Sequence, residues 1–169
     1  MLENVRRLIK PLACAKVQAY FSSEFQLYHL LEFILEQTGM CDLVLTTFSV
    51  SEEFIRKLVQ MKEKGLIRGL SIIADHRTAV KALRLTLFTN NIAEELSLGN
   101  NHAKVLLISN KDWKVSVVTS QNQTRGNRIE CGMICTIPII YDDLLSSITE
   151  ERKKMIDANA VFNGTTGKN

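Results

Sequence analysis

Two short apolar runs joined by turn residues constrain this chain more than anything else in it. Lys104-Val-Leu-Leu-Ile-Ser109 has the unbroken apolar character of a buried strand, and Trp113-Lys-Val-Ser-Val-Val-Thr119 alternates as a second strand. Asn110-Lys-Asp112 between them are turn formers, so the spacing predicts a hairpin with a short loop. A hairpin brings the start of its first strand beside the end of its second. His102 and Lys104 are therefore expected close to Ser120 and Asn122, and, being two apart, on one strand face. A third run, Cys131 to Ile137, is expected to pair next and to carry Glu130 to the same end.

That end of the hairpin would gather an imidazole, an ammonium, a hydroxyl, a carboxamide and a carboxylate, a set suited to phosphodiester chemistry without a metal. An unperturbed imidazole has a pKa of about 6.5, so this residue type serves as nucleophile or acid near neutral pH. A carboxylate on its second nitrogen fixes the tautomer and stabilises the cation, and Glu130 is the obvious candidate. Lys104 offers a point charge to non-bridging phosphate oxygens, Asn122 an amide donor and Ser120 a hydroxyl. Each such preorganised donor is typically worth about 3 kcal/mol of transition-state stabilisation.

The stretch from His102 to Glu130 resembles the phospholipase D superfamily. The motif of that family is His-x-Lys, four residues, Asp, six residues, then Gly-Ser-x-Asn, with a carboxylate shortly after. Thr119-Ser120-Gln-Asn122 looks like its second half, with Thr119 in the glycine position and Glu130 as the carboxylate. The aspartate position counted from Lys104 holds Ser109, whereas Asp112 keeps the right distance to Ser120 and Asn122, so the hairpin is three residues longer. In the family that aspartate is more structural than chemical, and the longer hairpin is similar to versions attached to helicases and restriction nucleases.

The resemblance implies an α/β fold with a mixed sheet covered by helices on both faces. It also implies a reaction in which one histidine attacks phosphorus to give a phosphohistidine, while a second motif's histidine protonates the leaving group and then activates water. This chain has one motif. His29 and His76 have no lysine two residues on, and there is no internal repeat. Short family members pair identical chains across a two-fold axis, so a homodimer with a shared site is implied. Catalytic roles fall on His102, Lys104, Ser120, Asn122 and Glu130. No cofactor or metal is required.

The rest of the chain fits one domain over 1–161 with a disordered tail over 162–169. Hydrophobic content of 46% and charged content of 23% are ordinary for a domain that buries a core. No apolar run reaches the ~20 residues that span a bilayer, and no signal-type apolar region opens the chain, so a cytoplasmic protein without a membrane role is expected. The four cysteines sit in mostly apolar surroundings and are expected to be core thiols, although the spacing of Cys131 and Cys135 carries a faint zinc signal.

Helices are expected over Phe25 to Gln37, after a capping box at Ser49 and Glu52 up to Lys64-Gly65, and from Asp142 or Asp143 to about Ala158. Strands are expected at Asp42–Thr47 and Leu70–Ala74. After Asp75, Arg77, Lys81 and Arg84 fall on one helix face, and Arg125 and Arg128 flank the motif. Together they form a candidate track for a phosphate backbone. A net charge of +3 is too mild to establish nucleic-acid binding by itself. Two functions follow from these residues: a nuclease, acting on DNA first of all, and a nucleic-acid-binding module of the same fold whose lengthened hairpin has spoiled catalysis.

Overall fold

The expected hairpin is the centre of the sheet. In the computed structural model, residues 2–77, 93–122 and 128–157 are described. Among these residues eight strands and four α-helices follow in the order α1 Leu2–Leu8, β1 Val17–Ser22, α2 Leu27–Thr38, β2 Cys41–Thr47, α3 Glu52–Glu63, β3 Ile67–Asp75, β4 Glu95–Gly99, β5 Val105–Ser109, β6 Lys114–Thr119, β7 Glu130–Cys135, α4 Pro138–Arg152 and β8 Ile156–Asp157. They form one mixed sheet in the order β1-β7-β6-β5-β2-β3-β4-β8. The β2–β3 and β3–β4 pairs are parallel and the others antiparallel.

Alternation along the strands sorts side chains to two faces. Leu106 and Ile108 of β5, Val115 and Val117 of β6 and Ile134 of β7 point to the main core, which α1, α2 and α3 cover with Val5, Leu30, Ile34, Phe54 and Leu58. Each fully buried side chain of this kind contributes about 1.5–3 kcal/mol. On the opposite face, Val44, Val105 and Leu107 meet Tyr141, Leu144, Leu145 and Ile148 of α4. Helices thus cover both faces, as the mixed α/β pattern predicts. α4 is pinned near one end by Lys114 on Asp142 at 2.5 Å and at the other by an ion pair between Arg152 and Glu95. Among the described residues, no helix is long and apolar enough to cross a membrane.

Several boundaries differ from those expected. The cap of α3 is Ser51, whose hydroxyl accepts from Phe54 N at 3.2 Å, not Ser49. The Ser49 carbonyl instead accepts from the Thr47 hydroxyl. α4 starts a turn before Asp142, at Pro138, because proline's fixed φ suits the first helical position and its missing N–H costs nothing there. The same helix stops at Arg152, and the chain then pairs β8 with β4. Gly39 closes α2 at φ +74°, a conformation that other residues adopt only under strain. Cys41 and Cys135 are buried as expected, but Cys14 and Cys131 are exposed. The tail over 162–169 lies outside the described residues.

Candidate active site

β5 and β6 pair from Val105 opposite Val118 to Ser109 opposite Lys114, and the Thr119 amide extends the ladder by donating to the Lys104 carbonyl at 3.1 Å. That bond ties the His-x-Lys segment to the Ser-x-Asn segment. His102 and Lys104 are not on a strand face, because both precede β5. Their placement comes from Asn101, a buried side chain that donates to the carbonyls of Thr47 at 2.9 Å and Ala103 at 3.2 Å and accepts from the Ala103 amide at 3.2 Å. The segment is thereby folded back on itself. Lys104 Nζ donates to the His102 carbonyl at 2.7 Å and lies 3.3 and 3.4 Å from the two ring nitrogens of His102.

Phe48, just after β2, walls this pair. Its ring centroid is 4.8 Å from that of His102, and Lys104 Nζ sits 5.6 Å from it. Lys104 is 8% exposed while His102 is open to solvent. Burial holds the Lys104 ammonium below the usual lysine range, and the Glu130 carboxylate partly offsets this.

The second half of the site is built on β6 and β7. Ser120 N donates to the Cys131 carbonyl at 2.9 Å, and Cys131 N donates back to the Ser120 hydroxyl at 3.0 Å. The Ser120 hydroxyl also donates to the Glu130 carboxylate. Within one chain Glu130 therefore engages Ser120 rather than His102. Asn122 follows, and its Oδ1 is buried with no hydrogen-bond partner among the described residues.

The basic residues separate. Arg77 is partnered within the chain: its guanidinium pairs with the fully buried Asp75 at 3.3 Å and donates to Asn100 Oδ1 at 2.9 Å. Arg128 is exposed beside β7. Lys81, Arg84 and Arg125 lie outside the described residues. Asp112 sits in the hairpin turn, where its amide donates to Asn110 Oδ1 at 2.9 Å. At about 3.3 Å per residue the length of β5 puts that turn roughly 17 Å from Lys104, so the displaced aspartate is remote from the chemistry. Ser109, in the family's aspartate position, accepts from the Tyr141 hydroxyl at 2.8 Å.

Sequence reasoning missed Asn101, Phe48, Tyr20 and Gln121. Only Asn101 carried a signal, as a turn-type residue directly before the motif. Phe48 and Tyr20 reach the site through pairings between distant segments, and Gln121 stands inside the Ser-x-Asn segment at its unspecified position.

No protein-family model matches the chain, and no curated protein matches it. Solved structures do. Nuc from Salmonella typhimurium, a phospholipase D family member, aligns with a TM-score of 0.61 at 18% identity, covering 83% of this chain and 96% of its own. The fold is that of the phospholipase D superfamily. NucT from Helicobacter pylori aligns at a TM-score of 0.64 and 13% identity, over 84% of this chain and 98% of its own. TrmBL2, an archaeal chromatin protein whose structure shows a novel mode of DNA binding, aligns at 0.59 and 12% identity, over 91% of this chain and 58% of its own. At such identities these likenesses carry the phospholipase D fold, and the chemistry rests on the side chains.

Proposed function

We propose that this chain is a metal-independent phosphodiesterase acting on nucleic acid, DNA first of all, at a site shared by two copies. The observation that carries the reading is the Lys104 ammonium folded against the His102 ring, in a segment tied by one backbone bond to Ser120 and Asn122. His102 attacks phosphorus. The P–O bond to the leaving strand breaks, and the departing oxygen takes its proton from His102 of the partner subunit. That imidazole, now a base, removes a proton from water, which cleaves the phosphohistidine and frees His102. Lys104 and the Asn122 amide hold the non-bridging oxygens, and Ser120 and Glu130 brace the wall of the site.

A second copy is needed because the other imidazoles are committed elsewhere. His29 accepts from Gln26 N at the start of α2, and His76 sits against the Gly99 carbonyl. An apolar strip supports that copy. Phe21, Val118 and Met133 are 77%, 41% and 44% exposed, lie on β1, β6 and β7, and border Ser120 and Glu130.

The Ser120–Glu130 contact favours a second reading. A His102 ring with no carboxylate bonded to it among the described residues suits a module that binds nucleic acid and does not cut it. The two are separated by incubating labelled single- and double-stranded DNA with wild type and His102→Ala in EDTA. Cleavage by wild type alone is the expected outcome, and Lys104→Ala should cost about 10²–10³ in rate. Salt-dependent binding without cleavage by either protein would establish the binding module, and substantial cleavage by His102→Ala would exclude this nucleophile.

A further inference from the structure

Thr119, in the position where the motif carries glycine, has a side chain with three close partners. Its hydroxyl donates to the Cys131 carbonyl at 2.9 Å, accepts from the Gln121 amide at 3.1 Å and lies 2.7 Å from the Tyr20 hydroxyl. Tyr20 in turn donates to Gln121 Oε1 at 3.0 Å, and Gln121 Nε2 donates to the Phe25 carbonyl at 3.1 Å. Gln121, the unspecified residue of Ser-x-Asn, is thus buried and gripped at both ends of its amide.

The Tyr20 ring is held as firmly. It lies 5.0 Å from the Phe25 ring and lies over Gly132, where a Cβ would stand 2.6 Å from its Cζ. We infer that Tyr20 is a positioning residue for the phosphate-binding segment: through Thr119 and Gln121 it fixes the main-chain course that presents Ser120 and Asn122. This rests on the phosphodiesterase reading for its effect on rate and on geometry alone for its effect on the segment.

Three features support the assignment. Among the described residues the network's side chains reach the site through 119–121, and its tie to the His-x-Lys segment is the backbone bond from Thr119 N to the Lys104 carbonyl rather than a contact with either side chain. Tyr20 is pushed up to about 12, chiefly by burial, so its hydroxyl keeps its proton at any working pH. Two hydroxyl protons, from Tyr20 and Thr119, are shared among three oxygen–oxygen contacts, so two of the three are hydrogen bonds at any moment and both hydroxyls are engaged in every arrangement.

The test is Tyr20→Phe, which keeps the ring over Gly132 and removes only the hydroxyl. It is compared with wild type, Thr119→Val and Thr119→Ser by steady-state cleavage and by amide hydrogen exchange at Gln121 and across β5. Tyr20→Phe and Thr119→Val should each lower kcat about tenfold with KM within about twofold, the effect of one buried hydrogen bond. Gln121 exchange should quicken by a similar factor while β5 exchange is unchanged, and Thr119→Ser should restore both.

Wild-type kcat with unchanged Gln121 exchange in Tyr20→Phe overturns the inference. Equal acceleration at Gln121 and across β5 overturns it too, because the hydroxyl would then serve general stability. If wild type fails to cleave, the phosphodiesterase reading falls and the exchange arm decides the positioning role by itself.

Discussion

Asp75 is a single buried carboxylate on which the neighbourhood of His102 depends. It accepts from Arg77 N at 2.9 Å and from Asn101 N at 3.3 Å, besides the Arg77 guanidinium. Burial raises its pKa, but the Arg77 and Asn101 donors outweigh that and hold it below the usual aspartate range. A depressed carboxylate lends stability that is present above the unfolded value of about 3.9 and lost as pH falls through the folded value below it. Asp75→Asn should therefore destabilise the protein at neutral pH by about 1–3 kcal/mol in urea denaturation, with the difference from wild type shrinking at low pH. Residue identities were the most legible level of the sequence at the motif: His102, Lys104, Ser120 and Glu130 each have a neighbour from the same set. Arg77 shows what spacing leaves out, because the sequence displays the cation's position and not the buried Asp75 that pairs with it.

At the scale of elements, the β5–β6 hairpin was legible because its information is local. Alternation, turn residues and strand length all lie within Lys104 to Thr119, and the register followed. The pairing of β1 with β7 was not, because nothing near Val17–Ser22 names a partner at Glu130–Cys135. The two strands meet with Tyr20 opposite Gly132, and the missing side chain there gives the ring its place. Gly132→Ala should cost about 1–3 kcal/mol by overpacking, measured as a shift of the denaturant midpoint at unchanged slope. Tyr20→Ala in the same chain should relieve part of that penalty. Helix starts were legible in kind and wrong in position, since Ser49 and Ser51 offer the same hydroxyl two residues apart.

At the scale of the whole molecule, two helical layers protect the sheet unevenly. α4 covers β5 and β2 on its face, and the strip carried by Phe21, Val118 and Met133 is left open beside the candidate site. A two-fold axis there would set like against like, so one charge per chain becomes two at the interface. Phe21→Glu should give a monomer by sedimentation equilibrium where wild type gives a dimer, with an unchanged circular dichroism spectrum because Phe21 is 77% exposed. A wild-type monomer would remove the shared site.

The bond between Tyr20 and Thr119 also has a consequence in time. Its two residues are 99 positions apart, whereas the hairpin beside His102 and Ser120 closes through the four residues 110–113. Local closures come early in folding, and a strand whose partner is so distant waits until most of the sheet exists to receive it. The wall behind Ser120 and Asn122 is thus among the last parts to be assembled. A chain caught halfway would carry its histidine and lysine without the frame that holds a phosphate against them.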